Sequence, residues 1–347
     1  MNSNIETPAQ AGFFMPAEWA PHARTWMAWP SRKDLWGAGL AEAEAAYAGV
    51  ARAIARFEPL AMVANEDDAT RARAALGEDI EMVTLPIDDS WMRDSGPSFV
   101  VNAAGAVAGV DWQFNAWGSK FPPWDNDAAL AGRVLDRLGM RAFAAPFVLE
   151  GGSIHVDGEG TVLTTEQCLL HPNRNPGRSR QDIEALLLAY LGAERVIWLG
   201  DGLENDHTDG HVDDIACFVR PGVVMAAVCD RDDANYTPLA DNLRRLRAAR
   251  DARGRALEII EMPLPTRRVV DGVGRLASSY VNFYIANGGI VAPGFDDVHD
   301  AAARNILAAT FPGREVAMPP CSAIIEGGGS VHCITQQQPA GPAAPGV

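Results

Sequence analysis

Apolar positions along the chain follow two periods. Leu40, Tyr47, Val50, Ile54 and Phe57 recur at spacings of three, four or seven, the stripe of an amphipathic helix that Pro59 ends. Residues 25–29 form a short run stopped by Pro30 and read as a strand. Beyond residue 80 one order keeps returning: strand, polar loop, hairpin, helix. The first round places these at 80–85, 86–97, 99–114 and 127–138. The second has its strand at 141–149, a loop from Glu150, a hairpin across Asp157-Gly158-Glu159-Gly160 and a helix at 179–191. The third runs through 195–199, 200–210, 215–228 and 238–250, and the fourth through 257–262, a loop to 277, 280–292 and 299–311. A fifth begins at 315–318, loops to 329 and stops after one strand at 331–335.

Loop positions Asp94, Glu150, His211, Ser278 and Cys333 are separated by 56, 61, 67 and 55 residues. A period near sixty is the mark of a repeat architecture, and mixed strand–helix repeats lose their exposed edges by closing into a ring. The expected fold is α/β, a ring of five strand–loop–hairpin–helix repeats. Its incomplete last round is completed by the spare strand at 25–29. One catalytic domain is expected over 13–338, with a disordered tail at 339–347. Loops at one end of such a ring would converge, so residues far apart in sequence share a site.

Composition narrows the function. The 347 residues are 48% hydrophobic and 21% charged, enough for a substantial core. A net charge of −16 argues against nucleic acid and anionic membranes and favours cationic ligands. No run of 18 apolar residues occurs, and the N-terminus lacks the basic and apolar regions of a secretory signal, so a cytoplasmic protein is expected. Five scattered cysteines without a CxxC pair read as reduced thiols rather than a disulfide frame or a zinc site. A homo-oligomer is compatible with these features.

The candidate chemistry sits in the loops. Glu326-Gly327-Gly328-Gly329-Ser330-Val331-His332-Cys333 repeats the words of Glu150-Gly151-Gly152-Ser153-Ile154-His155, but only the later copy carries a thiol. The glycines, Gly329 among them, let backbone and substrate approach Cys333 closely. A nucleophilic thiol needs a partner that handles protons. The polar stretch 205–214 supplies His211 as general acid and base, with Asp213 two residues on in extended chain and pointing the same way. His207 and His211 also have metal-ligand spacing, but Gly210 breaks the helix that would make them chelate, so no metal is expected. Asp94, before Ser95-Gly96, would bind a cationic group, and Glu150 would orient His211. Carboxylates around a thiol match a planar guanidinium, which donates to them bidentately.

Several stretches together resemble the agmatine deiminase group of the bacterial-type peptidylarginine deiminase family. They are residues 15–30, Trp91-Met92-Arg93-Asp94-Ser95-Gly96-Pro97, Phe114-Asn115-Ala116-Trp117-Gly118, the Glu150 stretch, Thr208-Asp209-Gly210-His211-Val212-Asp213, Asn282-Phe283-Tyr284 and residues 327–337. The resemblance implies a five-bladed α/β propeller, the pentein fold. It implies hydrolysis of a small cationic guanidino substrate, agmatine, to N-carbamoylputrescine and ammonia, without cofactor or metal. It makes Cys333 the nucleophile and His211 the proton carrier, with Asp94 and Asp213 on the guanidinium, Glu150 orienting His211 and Trp91 walling the site. Many relatives place Glu where this chain has His207, which therefore becomes the candidate contact for the substrate's far end, with Asp206 or Asp209 as substitutes. Arginine or peptidyl-arginine is the alternative substrate class, and a metal-dependent hydrolase the alternative mechanism.

Overall fold

The structure, a computed structural model, describes residues 6–346. Its main sheets are five, and each is built the same way: an antiparallel hairpin, a helix crossing over, and a strand returning parallel to the hairpin's second strand. The hairpin Ser98–Asn102 and Val107–Gln113 is followed by the helix Leu130–Leu138 and the strand Ala142–Val148. The equivalents are His155–Val156, Thr161–Thr165 and Arg195–Leu199 in the second sheet, and Ala216–Arg220, Val223–Val228 and Glu258–Pro263 in the third. In the fourth they are Tyr284–Ala286, Gly289–Val291 and Glu315–Ala317. The unit is thus hairpin–helix–strand, and the strand that seemed to open each round belongs to the preceding sheet.

The fifth sheet closes the ring. Thr335–Pro339 pairs antiparallel with His22–Ala28, so the C-terminal strand borrows its hairpin partner from the N-terminus, as expected. Trp26 Nε1 seals the junction by donating to Gln338 Oε1 at 2.9 Å. The crossing helix Leu40–Ala55 buries Tyr47, Val50 and Ile54 of the stripe read from the sequence, together with Ala43, while Leu40 is half-buried and Phe57 lies just past the helix end. This sheet also holds elements the periodicity did not reveal, the strand Leu60–Ala64 and the helix Glu66–Leu76, before Glu81–Thr84. Leu60–Ala64 is buried along its whole length, so it shows no alternation, and its alanines and methionine carry little strand propensity.

Three expectations are corrected. Residues 339–347 are not a loose tail as far as they are described. Ala340 N donates to Pro21 O, Val107 N to Pro342 O and Arg141 N to Ala344 O, each at 2.8 Å, and Ala344 is buried. Backbone pairing of this kind is blind to side chains, so a Pro-Ala-Gly composition conceals it. Residues 331–334 are a turn, with the strand starting only at Thr335, so Cys333 stands ahead of the strand rather than within it. Val212–Asp214 is a single 3₁₀ turn, so Asp213 reaches the site by a tight bend and not by alternation in extended chain. No helix among the described residues is long and apolar enough to cross a membrane.

Candidate active site

Each loop that leaves a parallel strand and enters the next hairpin delivers at least one polar group to a common well, the end of a parallel sheet where ligands usually bind. After Glu81–Thr84 comes Asp94, after Ala142–Val148 Glu150, and after Arg195–Leu199 His211 and Asp213. Glu315–Ala317 leads to Cys333. From Glu258–Pro263 the contribution is Asn282 rather than Ser278, which lines a separate open hollow with Thr266 and Asp297.

Cys333 is held from three sides. Arg93 N–H donates to its carbonyl at 3.1 Å, Asn282 Nδ2 donates to Sγ at 3.1 Å, and Asp213 Oδ2 lies 3.7 Å from Sγ. Gly329 must be glycine, because a Cβ there would come within 2.5 Å of the Trp91 ring and 3.0 Å of Cys333 Cβ. Burial first, then Asp213, Asp214 and Asp94, push the thiol well above its ordinary value. Among these carboxylates Cys333 is therefore a neutral thiol.

Asp94 is gripped by two donors: Gly152 N–H reaches Oδ1 and Trp117 Nε1 reaches Oδ2, both at 2.9 Å. Burial raises its pKa to about 6, with His211 pulling down and Asp213 and Glu150 pushing up. His211 is buried with no hydrogen-bond partner at either ring nitrogen. Its Nδ1 lies 3.8 Å from Asp94 Oδ1 and its Nε2 3.7 Å from Glu150 Oε2. Burial works to lower its pKa, yet Asp94 and then Cys168 and Glu150 carry it well above the ordinary histidine range. The ring is thus held as a cation between the two carboxylates.

Glu150 faces His211 but is anchored elsewhere: Arg174 Nε donates to Oε1 at 2.7 Å. Burial opposes its ionisation, and Arg174 and His211 outweigh burial, leaving its pKa lowered. Asp213 accepts from His332 Nδ1 at 2.8 Å through Oδ2, while Oδ1 is buried and unpartnered. Against burial, His332 above all keeps Asp213 ionised. Asp214 is pushed the other way, far up, by burial and Asp213.

Trp91, Trp117, Phe121, His207, Gly329 and Cys333 line the mouth, a narrow hollow that also takes in Asp89 and Asp94. Trp36 backs Trp91 at 6.3 Å between ring centres, and Phe121 backs His207 at 5.8 Å. Asp206 and Asp209 do not face this mouth as free carboxylates. Asp206 builds the loop by accepting from the backbone N–H groups of Thr208 and Gly210, and Asp209 pairs with Arg174 and Lys120 at 2.7 Å each. Three buried groups have metal-competent spacing among the described residues, Glu18–His155–His332, Glu150–Cys168–His211 and Asp213–Asp214–Cys333. None of them joins His207 to His211.

Sequence reasoning missed Asn282, Trp117, His332 and Glu18 as individual contributors, although each lies inside a stretch that carried the resemblance. Arg174 had no signal at all: it sits in an irregular loop, and only the fold shows that it neutralises Glu150 and Asp209.

The architecture and the acid-walled thiol are those expected of a guanidino-group-modifying protein. The chain belongs to the Porphyromonas-type peptidyl-arginine deiminase family, whose model matches residues 14–339. It is 50% identical to the agmatine deiminase of Ectopseudomonas mendocina (strain ymp) over 364 aligned residues, 98% of this chain and 99% of that one. The solved agmatine deiminase of Enterococcus faecalis superposes with a TM-score of 0.94 at 38% identity, covering 96% of this chain and 98% of that one. A substrate-bound cysteine-to-serine agmatine deiminase of C. jejuni superposes with a TM-score of 0.88 at 26% identity, over 95% and 97% of the two chains.

Proposed function

We propose that the protein hydrolyses agmatine to N-carbamoylputrescine and ammonia through a covalent cysteine intermediate, a step toward polyamines in the cytoplasm. The observation that carries this reading is the buried Cys333 thiol set 3.7 Å from Asp213 and in the same well as Asp94. Carboxylates there suppress the thiolate until a cation sits among them. A guanidinium bound by Asp94 and Asp213 removes that repulsion and polarises its own carbon. Binding and activation are then one event.

Cys333 loses its thiol proton to solvent as the cation binds, and Sγ attacks the guanidinium carbon. The tetrahedral adduct expels one nitrogen as ammonia, for which His211, held protonated, supplies the proton. This leaves an amidino-thioether, a thiouronium. The neutral His211 then takes a proton from water, whose oxygen adds to the same carbon, and the C–S bond breaks to release the ureido product and the thiol. Glu150, fixed by Arg174, steadies the charge on His211 as it comes and goes. The residues that fill these roles come with no built-in demand for metal or cofactor.

Agmatine is favoured over arginine by the mouth. Its lining residues include no lysine or arginine to meet an α-carboxylate, whereas the buried carboxyl group of Asp89 suits an amine. The deciding experiment is ammonia release from agmatine, free arginine and a peptidyl-arginine, each with and without chelator. Agmatine should be turned over fastest and chelator should not matter. Preference for arginine or peptide replaces the substrate, and loss of activity with chelator replaces the mechanism.

A further inference from the structure

The two oxygens of Asp213 have different fates. Oδ1 is buried without a partner, and Oδ2 takes His332 Nδ1 at 2.8 Å. The other nitrogen of the same ring, Nε2, lies 2.9 Å from Glu18 Oε2. Glu18, Asp213 and His332 are 3%, 1% and 3% exposed. An imidazole with a carboxylate oxygen at each nitrogen satisfies both only by donating twice, as imidazolium. Asn282 Oδ1 fixes its backbone by accepting from His332 N at 2.9 Å, and Ile285 N donates to Glu18 Oε1 at 2.7 Å.

The other groups facing this pair are accounted for. Arg93 Nη2 stands 3.8 Å from Glu18 Oε2, and its Nε donates to the His332 carbonyl at 3.3 Å. His155, the counterpart of His332 in the repeated glycine stretch, lies 6.0 Å away ring to ring, and its Nδ1 accepts from Phe218 N, so it is neutral there. Its Nε2 is 3.9 Å from Glu18. Cys217, Tyr284 and Arg314 feel the Glu18 charge from farther round.

We infer that Glu18 and His332 are positioning residues for the deimination: the pair clamps Asp213 through Oδ2, keeps it ionised, and leaves Oδ1 free to receive a guanidinium N–H. This deepens the proposed function and rests on it. Two conservative variants test it. His332→Asn can place an amide nitrogen where Nδ1 was, keeping a neutral bond to Asp213, and Glu18→Gln removes one of the two charges that hold the imidazolium.

Glu18→Gln should raise KM for agmatine about tenfold with a smaller change in kcat, the scale of one charge-assisted hydrogen bond, and should bring the alkaline fall of kcat/KM to lower pH. His332→Asn should retain more activity than His332→Leu. Nitrogen-15 NMR of histidine-labelled wild-type enzyme at neutral pH reads the same claim without any variant, because both His332 nitrogens should carry protons. A neutral His332 in the wild type, or folded variants with unchanged KM and pH profile, overturns the positioning role alone. No ammonia from any guanidino substrate with the wild type overturns the deimination reading, and the positioning role with it.

Discussion

The indole N–H of Trp117 donates to Asp94 Oδ2 at 2.9 Å, and it does so from left-handed backbone, φ 55° and ψ 43°. Its neighbours Ala116 and Ser119 also have positive φ, at 50° and 64°. Non-glycine residues there cost on the order of 1 kcal/mol or more each, so the chain accepts strain to aim this one donor. Asn115 holds the bend, its side chain taking Gly118 N–H at 2.9 Å and donating to Asn173 O at 2.9 Å. Trp117→Phe keeps the ring and deletes the donor. A hydrogen bond to a charged group is worth about 1.5–3 kcal/mol, so kcat/KM for agmatine should fall by about ten- to a hundredfold with Tm little changed. Steady-state kinetics beside a melting curve decide it, and unchanged kinetics remove Trp117 from the machinery.

Gly152 is where three catalytic candidates meet. A Cβ built on it would lie 2.6 Å from His211 Nδ1 and 3.0 Å from both Asp213 Oδ2 and Asp94 Oδ1. Gly152→Ala presses one methyl group against His211, Asp213 and Asp94 at once. Ammonia release should drop at least a hundredfold while circular dichroism still shows a folded protein. A folded Ala variant with near-normal turnover would show that the three groups do not close around that point.

Cys333→Ser preserves size and the Asn282 contact but replaces a thiol with a much weaker nucleophile. Turnover should fall by several orders of magnitude, while agmatine binding by calorimetry stays within about tenfold of wild type. Mass spectrometry adds a second reading: wild-type enzyme quenched during turnover should carry an amidino adduct on the Cys333 peptide, and the Ser variant should not. Normal ammonia release from the variant would end the nucleophile assignment.

The repeat was legible because loop, hairpin and helix each leave a local mark, and closure of the last round by the N-terminal strand followed from counting an unpaired strand at each end, although the C-terminal partner is Thr335–Pro339 and not 331–335. Cys333, His211, Asp94, Glu150 and Asp213 were legible as a set because the repeat puts them at equivalent levels. What stayed hidden is what only the closed ring creates. Arg174 neutralising Glu150, Glu18 reaching His332 across 314 residues, and Asn282 in place of Ser278 depend on side chains from different sheets meeting. Periodicity reports which face a residue takes and says nothing of its partner. The same limit explains the misread stretch 331–334: apolar residues there fill the core from a turn, not from a strand.

Asp94 makes the pH dependence specific. Burial lifts its carboxyl from an ordinary 3.8 to about 6 in the free protein, with His211 restraining the rise. Between those values the folded chain holds a proton that the unfolded chain has lost. By linkage, the contribution of Asp94 to stability therefore grows as pH falls from 6 toward 4 and is lost as pH rises through 6. Guanidinium binding reverses the preference, since a cation favours the carboxylate, so the substrate must expel that proton whenever pH is below 6. The acid limb of kcat/KM reports the free enzyme and should bend near pH 6 with unit slope. Agmatine should also raise Tm less at pH 5 than at pH 7, because part of its binding free energy goes into deprotonating Asp94. Asp94→Asn should lower the plateau and abolish the bend near 6. A wild-type limb that bends below pH 5, or one that survives unchanged in the Asn variant, would assign the acid limb to another group and leave Asp94 ionised throughout the working range.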